Sequence, residues 1–304
     1  MLKRLLRIPR KRLLKKILGY DEIYAVAIRR LEDNTGTDTS TFELVKNRNK
    51  HWCADPLLYQ VNGKRYLFVE EYNRDIGRGH ISVAEISNDN RLIYKSAIVE
   101  NFHMSFPMVF QWNEKIYMIP ETSEDRSIRI YIATKFPYEW KCIKRIQTKE
   151  KFVDTVLVNQ SNNGLEFITS IVNEQNPLET KFQKFLLRIH DDIHIVWDEK
   201  FNHDQVFNHF DRSAGNVIFE NDELVLPTQF SSDIDYGVGI LFRSTESLFS
   251  TEKRKLTTDN VIINGINKKD IIGIHTFSLG HNMEIIDVRY LKFSPWFQYR
   301  KIFR

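Results

Sequence analysis

Residues 55–99, DPLLYQVNGKRYLFVEEYNRDIGRGHISVAEISNDNRLIYKSAIV, decide the fold because they contain four short apolar or alternating runs. The runs are DPLLYQ, RYLFVEE, HISVAEIS and RLIYKSAIV, and turn residues separate them, as is typical of β-strands. Asn62-Gly63, between the first two runs, is a strong signal for a tight hairpin turn. The stretch therefore predicts four antiparallel strands that follow one another in sequence order.

The same pattern returns along the chain at intervals of roughly 50–60 residues. Further copies begin near Pro107, Asp154 and Ala214, and a partial fifth copy contains IHTFSLG and MEIIDVRY. Repeated four-stranded units predict an all-β fold, a five-bladed β-propeller. A two-sheet sandwich is the rival interpretation, but the regular hairpin restarts favour separate blades. An α/β nucleotide-binding domain is poorly supported, because strands do not alternate with long helical runs.

The fifth copy lacks its outer strands, and the N-terminal part of the chain can supply them. Residues 22–32 (EIYAVAIRRLE) and 41–46 (TFELVK) have strand patterns but precede the first complete copy. We expect them to join the fifth copy, so that the ring closes by pairing N-terminal with C-terminal segments.

The composition of the 304-residue chain is that of a globular protein, with 42% hydrophobic, 28% charged and 12% aromatic residues. This excludes a disordered protein and leaves enough chain to bury a core. The two cysteines, Cys53 and Cys142, are too few for a disulfide framework, so cytoplasmic thiols are expected. No stretch approaches the roughly 20 apolar residues of a spanning helix, and the basic N-terminus lacks the apolar core of a signal peptide.

Basic residues are concentrated at the two ends of the chain, although the net charge is only +4. Residues 1–18 contain eight Lys and Arg residues and no acid, and five more basic residues follow Asp287 without an acid. Without these thirteen, the chain has 31 basic and 40 acidic residues, a net charge of −9.

On a helical wheel, the N-terminal segment separates an apolar stripe from a mostly basic face. The stripe contains Leu2, Leu5, Leu6, Leu13 and Ile17. This pattern is typical of an amphipathic helix on an anionic membrane, where each basic residue contributes about 1 kcal/mol. Packing on the propeller and a nucleic-acid-binding arm are the alternatives, but no nucleic-acid-binding motif occurs. We predict a basic membrane-surface helix over residues 1–20, a propeller over 21–292 and a basic aromatic tail over 293–304, on the inner face of the cell membrane.

Polar side chains occur at equivalent positions of the predicted blades. The first layer lies at or just before the innermost strands and contains Asp55, His103, Asp154, Arg212 and His275. The second layer lies at the ends of the second strands and contains Glu70, Glu71, Glu121, Thr169, Ser170, Gln229 and Asp287. Because innermost strands line the axis of a propeller, we expect these groups to converge. Clustered carboxylates raise one another's pKa, as acid–base catalysis needs, and an arginine suits a phosphate. An ion-paired structural channel is the alternative.

Other motifs give weaker signals. Asp233-Ile234-Asp235 matches a metal–nucleotide motif of one glycosyltransferase fold, but two carboxylates underfill the shell of a hard cation. We therefore expect neither a metal nor a cofactor. Phe68, Tyr117, Trp140 and Trp197 have strand spacing and are expected in the core rather than in a sugar site.

Several of these motifs together resemble a known family. WCADP (52–56) and YLFVEE (66–71) resemble the opening of five-bladed glycoside hydrolases that act on furanosides, although Phe106 stands where those enzymes often carry a second acid. The series continues with HMSFP (103–107), YMIPE (117–121), DRSAG (211–215), Gln229, YG (236–237), GIHT (273–276) and Asp287. Over most of its length, the chain is similar to the propeller domain of plant glucosamine inositolphosphorylceramide transferases and their bacterial stand-alone relatives. The plant proteins also carry a separate transferase domain, outside the similar region.

The resemblance implies a five-bladed propeller that takes part in building glycolipids or envelope polysaccharides. We expect a glycosyltransferase that moves a sugar from an activated, nucleotide-type donor to a saccharide or lipid-linked acceptor. The expected catalytic residues are Asp55 as general base, Asp154 and Glu121. The expected substrate-binding residues are Glu71, His103, Arg212, Gln229, Tyr236, His275 and Asp287. A glycoside hydrolase or phosphorylase with the same acids, and a non-catalytic glycan-binding propeller of an assembly complex, are the alternatives.

Overall fold

The strands of the computed structural model form five sheets, and each sheet is one blade of a propeller. The structure describes residues 14–15, 17–31, 41–86, 92–190, 192–220, 222–245, 254–280 and 282–295. The predicted all-β, five-bladed fold is confirmed. Helical segments are short: α1 spans Glu199–His203, and two 3-10 turns span Ser123–Asp125 and Lys268–Asp270. Within the described ranges, no helix has the length and apolar character needed to cross a bilayer.

The chain begins with two strands of the last blade and then completes three regular blades in order. The first two strands are β1 (Tyr20–Arg30) and β2 (Thr41–Leu44). Blade 1 contains β3 (His51–Val61), β4 (Lys64–Asn73), β5 (Arg78–Glu85) and β6 (Lys95–Ile98). Blade 2 contains β7 (Ser105–Trp112), β8 (Lys115–Glu121), β9 (Ser127–Lys135) and β10 (Glu139–Gln147). Blade 3 contains β11 (Phe152–Ser161), β12 (Gly164–Val172), β13 (Thr180–Ile189) and β14 (Ile193–Trp197).

The strands of blades 1–3 pair antiparallel in sequence order, from the innermost to the outermost strand. In the first hairpin of blade 1, Asn62 and Gly63 have φ angles of +49° and +73°. Positive φ at both central residues is what a two-residue type I′ turn requires, so the local sequence sets the register of this hairpin.

Blade 4 departs from the predicted pattern at its innermost strand. The blade contains β15 (Arg212–Ser213), β16 (Ile218–Glu220), β17 (Glu223–Phe230), β18 (Gly239–Ser244) and β19 (Arg254–Thr257). Two short strands, both paired with β17, take the place of the single innermost strand of the predicted four-stranded unit. Between them Gly215 has a φ of +151°, and a Cβ there would lie 1.9 Å from the carbonyl oxygen of Phe277 in blade 5. The close approach of a neighbouring blade interrupts the strand.

Blade 5 closes the ring with strands from both ends of the chain. It combines β1 and β2 with β20 (Ile262–Asn264), β21 (Ile271–Gly273), β22 (Phe277–Gly280) and β23 (Met283–Phe293). β1 pairs with β23 along its whole length, starting with Tyr20 opposite Phe293. The predicted closure is confirmed, and β20 adds a short edge strand parallel to β2. Of the predicted N-terminal helix, residues 1–13 and 16 lie outside the described residues, as do residues 296–304 of the predicted tail.

Apolar side chains fill the seams between neighbouring blades. Phe68 and Trp140 pack between blades 1 and 2, and Tyr117 and Trp197 pack between blades 2 and 3. The prediction that these four aromatic residues belong to the core is confirmed.

A further apolar cluster reaches across the axis of the propeller. Leu57, Phe106 and Val156, each at most 2% exposed, come from the innermost strands of three blades. Leu57 and Val156 follow Asp55 and Asp154 closely in sequence. The apolar cluster therefore borders the predicted acids and lowers the dielectric around them.

Phe42→Ala should test how much the closing strands contribute to folding. Phe42 of β2 is fully buried, and the Arg29 guanidinium lies 4.6 Å from the centre of its ring. Truncation of a buried phenylalanine costs about 3–5 kcal/mol, so urea unfolding should show a loss of this size. Phe219→Ala, at a 67% exposed position, is the matched control and should change stability by less than about 0.5 kcal/mol. Equal effects of the two substitutions would contradict a structural role for β2.

Candidate active site

Bulges in the innermost strands orient two acids at the axis. β3 has a register shift between Ala54 and Leu57, and Asp55 within it has a φ of +49°. β11 has the same feature at Asp154, also with a φ of +49°. In β7 the equivalent residue is Phe106, with a φ of +42°. Bulges re-aim side chains beside functional sites, and a non-glycine residue at positive φ costs of order 1–3 kcal/mol.

Asp55 is 6% exposed, and its carboxylate is held by groups from two other blades. The Thr276 hydroxyl of blade 5 donates to Oδ1 at 2.9 Å, and the Phe106 backbone N–H of blade 2 donates to Oδ2 at 3.1 Å. His275 Nε2 lies 3.7 Å from Oδ1. Burial raises the pKa of Asp55 to about 6, although the nearby His275 lowers it. A carboxyl group with this pKa is mostly ionised at neutral pH and can act as a base.

Asp287 holds both His275 and Asp55 from behind. It is fully buried, and its Oδ1 accepts the backbone N–H groups of His275 and Thr276 at 3.0 and 2.9 Å. Its Oδ2 accepts the Asp55 N–H at 3.1 Å and lies 2.5 Å from His275 Nδ1. Burial opposes a charge on His275, but Asp287 outweighs this effect and raises the pKa of His275. Since both Asp287 oxygens are occupied within the protein, we assign it a positioning role, in place of the substrate contact expected from the sequence.

Asp55, His275 and Asp287 also bring three possible metal-ligand atoms within 4.8 Å of one another. However, the 2.5 Å between His275 Nδ1 and Asp287 Oδ2 is the distance of a short charged hydrogen bond. Two ligands of a tetrahedral zinc ion lie roughly 3.4 Å apart when each is about 2.1 Å from the metal. The arrangement therefore fits a hydrogen-bonded His275–Asp287 pair beside Asp55 better than a cation site. The Asp233 carboxylate of the predicted metal–nucleotide motif is 90% exposed.

Arg212 joins the acids of blades 2 and 3. Its guanidinium is paired with Asp154 and lies 3.5 Å from Glu121 Oε2. Gln229 Nε2 donates to Asp154 Oδ2 at 2.9 Å. The guanidinium carbon of Arg212 lies 4.7 Å from the centre of the Tyr236 ring. Burial raises the pKa of Asp154 to about 6, although Arg212 lowers it. The structure thus brings these five predicted residues into one cluster.

Glu71 does not join the other predicted residues, which corrects its expected role in substrate binding. It is fully buried, paired with Arg48, and accepts a hydrogen bond from the Ser82 hydroxyl at 2.7 Å. Burial acts against its charge, but hydrogen bonds from His80, Arg48 and Ser82 lower the pKa of Glu71 to about 2. Glu71 is therefore a structural carboxylate within blade 1.

Glu70, on the other face of β4, lies with the site acids instead. Its Oε1 is 3.5 Å from His103 Nε2 and, although buried, has no hydrogen-bond partner among the described residues. The Gly79 N–H donates to His103 Nδ1 at 3.0 Å, so a neutral imidazole carries its proton on Nε2, toward Glu70. Burial, with repulsion from Asp55 and Glu121, raises the pKa of Glu70 well above its usual value. Because successive side chains of a strand alternate in direction, only one residue of the Glu70-Glu71 pair can face the site.

Two further side chains of the site were missed in the sequence. Thr276 belongs to the GIHT motif but donates to Asp55 only because blade 5 meets blade 1 at the axis. Tyr24 of β1 stacks on His275, with 4.9 Å between the ring centres and 24° between the planes. The sequence signal for Tyr24 was its place in a strand expected to close the ring. In the structure Val26, two residues later in that strand, is the direct partner of Asp287.

The propeller and its axial cluster can be compared with known proteins. Residues 39–267 match the family model described as glucosamine inositolphosphorylceramide transferase 1, N-terminal. The chain belongs to this family. Glucosamine inositolphosphorylceramide transferase 1 of Arabidopsis thaliana is 35% identical over 112 residues, which are 36% of this chain and 14% of that protein. The protein of the same name from Oryza sativa subsp. japonica is 34% identical over 111 residues, 36% of this chain and 15% of that protein. The match therefore spans only about one seventh of the length of these relatives.

Solved structures of other propeller enzymes are more distant. An exo-β-1,3-galactanase from Phanerochaete chrysosporium has a TM-score of 0.48 and 10% identity, covering 88% of this chain and 64% of that chain. An exo-1,5-α-L-arabinanase from a bovine ruminal metagenomic library has a TM-score of 0.47 and 9% identity, covering 81% and 99%. Similarity at this level carries no assignment of activity.

Asp55→Asn should change how stability depends on pH. Burial raises the pKa of Asp55 to about 6 in the folded chain, whereas an unfolded aspartate has a pKa of about 3.9. The folded chain therefore binds this proton more tightly, so its contribution to stability is present below about pH 4 and is lost as the pH rises through about 6. Between these limits the wild-type chain should lose about 2–3 kcal/mol relative to Asp55→Asn.

Urea unfolding at a series of pH values from about 4 to about 8 measures this difference. Asp259→Asn, at an exposed turn position, is the control and should follow the wild-type curve. A constant stability difference between wild type and Asp55→Asn across the range would show that Asp55 is not the buried acid described above.

Proposed function

We propose that this chain catalyses glycosyl transfer in the assembly of cell-surface polysaccharides or glycolipids. A sugar moves from an activated donor of the nucleotide-sugar type to a hydroxyl group of a saccharide or lipid-linked acceptor. The observation that carries the proposal is the Asp55 carboxylate, which is buried, has a pKa of about 6 and is backed by His275 and Asp287. The transferase names of the relatives support a glycosyltransferase-like role.

In the proposed reaction, Asp55 removes the proton from the acceptor hydroxyl while that oxygen attacks the anomeric carbon. The bond from this carbon to the donor phosphate breaks on the opposite side, and its electron pair leaves with the phosphate oxygen. Direct displacement of this kind inverts the anomeric centre. His275 Nε2, 3.7 Å from Asp55 and fixed through Nδ1 by Asp287, stabilises the charge on Asp55 before the transfer.

Arg212 is the group best suited to the leaving phosphate. Its fork of donors matches phosphate oxygens, and the Tyr236 ring beneath it contributes a cation–π interaction. Its charge is shared with Asp154 and Glu121. Because the pKa of Asp154 is about 6, this group becomes protonated as the pH falls through about 6, and Arg212 then offers more of its positive charge to the donor phosphate.

Glycoside hydrolysis is the second candidate function. Asp55 and Asp154 both have pKa values of about 6 and are buried at one axis, and glycosidases work with such a pair of carboxyl groups. In blade 2 the equivalent bulge position holds Phe106, where the hydrolases often carry an acid, and this difference favours transfer. Hydrolysis predicts that sugar is released from a glycan in the absence of any donor.

Asp55→Asn should reduce the transfer rate by at least about 100-fold, since an amide keeps the shape of the side chain but cannot take up the proton. The donor is found first by thermal-shift screening of nucleotide sugars, because a ligand at 100 times its Kd adds about 2.7 kcal/mol of stability. Transfer of the labelled sugar is then measured for both chains. Asp233→Asn, the same substitution at a 90% exposed carboxylate, is the matched control and should keep the wild-type rate.

The possible results separate the three interpretations. A stabilising nucleotide sugar and a slow Asp55→Asn variant support transfer. Sugar release without a donor supports hydrolysis. An unchanged rate in Asp55→Asn removes the catalytic role of Asp55 and leaves the non-catalytic glycan-binding interpretation.

We also propose that the face carrying the site lies on an anionic membrane, at the cytoplasmic side. The site residues occupy the starts of the innermost strands and the ends of the second strands, and β1 starts and β23 ends at this same face. There Tyr20 pairs with Phe293, with 5.4 Å between the ring centres. Ile17, Leu18 and Phe293 are 74%, 59% and 58% exposed. The basic residues of segment 1–18 lie next to these apolar side chains in sequence, and a lipid-linked acceptor would meet the site directly.

Removing residues 1–18 should shift the chain from vesicles containing phosphatidylserine to the soluble fraction. A finer variant, Lys3→Gln with Arg4→Gln and Arg7→Gln, should weaken binding roughly 100-fold at low salt, because each basic residue contributes about 1 kcal/mol. Salt should weaken wild-type binding as well. Lys115→Gln with Lys135→Gln and Lys141→Gln removes the same charge from exposed positions at the opposite face of the propeller and is the control. Equal vesicle binding by the two triple variants would contradict a membrane contact through the N-terminus.

A further inference from the structure

A continuous series of aromatic rings borders one side of the site. His275 contacts Tyr24 at 4.9 Å between ring centres, and Tyr24 contacts Trp52 at 5.0 Å. Trp52 stacks on Tyr72 at 4.4 Å with 6° between the planes, and Tyr72 contacts His103 at 6.3 Å. We term these five residues the aromatic arc. It runs from blade 5 through blade 1 to the start of blade 2, and none of its contacts is needed for the mechanism above.

The middle of the arc differs from the aromatic residues of the core. Trp52 and Tyr72 are direct partners across β3 and β4, and both are only half-buried. Among the described residues, neither Trp52 Nε1 nor Tyr72 Oη has a hydrogen-bond partner. Neither atom is fully buried. By contrast, Trp140 Nε1 donates to the Pro137 carbonyl oxygen at 2.8 Å. The arc therefore offers free hydrogen-bond donors beside the site.

Glu70 offers the complementary acceptor. It is 6% exposed, and its Oε1 lies beside His103 at the end of the arc without a hydrogen-bond partner in the described part of the chain. Gln229 Oε1, in the cluster around Asp154, is a second buried acceptor without a hydrogen-bond partner among the described residues. Buried acceptors without a partner are costly, and a native structure keeps them where a ligand or water supplies the donor.

We propose that the aromatic arc and Glu70 form a subsite for a sugar or cyclic polyol ring. Hydroxyl groups both donate and accept, so they satisfy Glu70 and the donors of Trp52 and Tyr72 at once, while ring C–H groups pack on the aromatic surface. An apolar ligand would leave these donors and this acceptor unpaired. In the series of ring contacts, Tyr236, His275 and Tyr24 separate Arg212 from Trp52 and Tyr72, so we assign the ring bound in the middle of the arc to the acceptor. This last assignment alone rests on the proposed function.

Binding is tested without a donor, using methyl glycosides of glucose, galactose, mannose and glucosamine, and free myo-inositol. Ligand-detected saturation-transfer NMR gives the affinity, and tryptophan fluorescence of the wild-type chain gives an independent signal. Trp52→Phe and Tyr72→Phe each remove one donor but keep an aromatic ring. Each should weaken binding about two- to tenfold, the effect of one net hydrogen bond. Trp140→Phe and Tyr138→Phe are the matched controls on blade 2 and should bind as the wild type does.

Unchanged affinity in both arc variants, or no saturable binding of any panel member to the wild-type chain, overturns the proposal. The experiment distinguishes a wrong subsite proposal from a wrong transferase proposal. If a glycoside binds through Trp52 and Tyr72 while no nucleotide sugar supports transfer, the subsite stands and the proposed function is wrong.

Discussion

The pairing of β1 with β23 is the constraint on which both the ring and the site depend. All eleven residues of β1 have partners in β23. The register aligns Val26 with Asp287 and Tyr24 with Arg289, so the N-terminal strand covers the residue that holds His275 and Asp55. Asp287 is fully buried, and Val26 of this strand is its direct partner. Formation of the site is therefore coupled to closure of the ring, and the two cannot be separated in the folded chain.

The electrostatics of the site work against folding, and the fold compensates through hydrogen bonds between blades. Burial raises the pKa of Asp55, Asp154 and Glu70, so ionisation of each group reduces stability. Thr276 and the Phe106 N–H offset this cost for Asp55, while Arg212 does so for Asp154. Glu70 Oε1 has no such compensation within the described residues. A purely structural ion-pair network gains nothing from an unpartnered acceptor, which favours a pocket that receives a ligand.

Local signals explain why most of the fold could be predicted from the sequence. Alternation and turn residues such as Asn62-Gly63 act over a few positions, so the hairpins and the closing strands were found. The innermost strand of blade 4 was not, because the interruption at Gly215 depends on the approach of Phe277 from another blade. At the site, the polar positions were predictable, but the choice between Glu70 and Glu71 depends on which strand face turns to the axis. Contacts between blades, such as that of Tyr24 with His275, have no local signature.

Phe106 shows how the same backbone bulge serves different chemical roles in different blades. Asp55, Phe106 and Asp154 occupy the same bulge with nearly the same positive φ, so the backbone alone does not decide which blade carries an acid. In blade 2 the bulge position carries no charged side chain to join Asp55 and Asp154. Instead the Phe106 N–H donates to Asp55, and the Phe106 side chain joins the apolar cluster that borders the acid. The hydrogen bond favours the ionised form of Asp55, whereas the apolar neighbour disfavours it. Blade 2 thus contributes one hydrogen bond and part of the apolar surroundings of the acid in blade 1, which is why a position without a titratable group still belongs to the candidate active site.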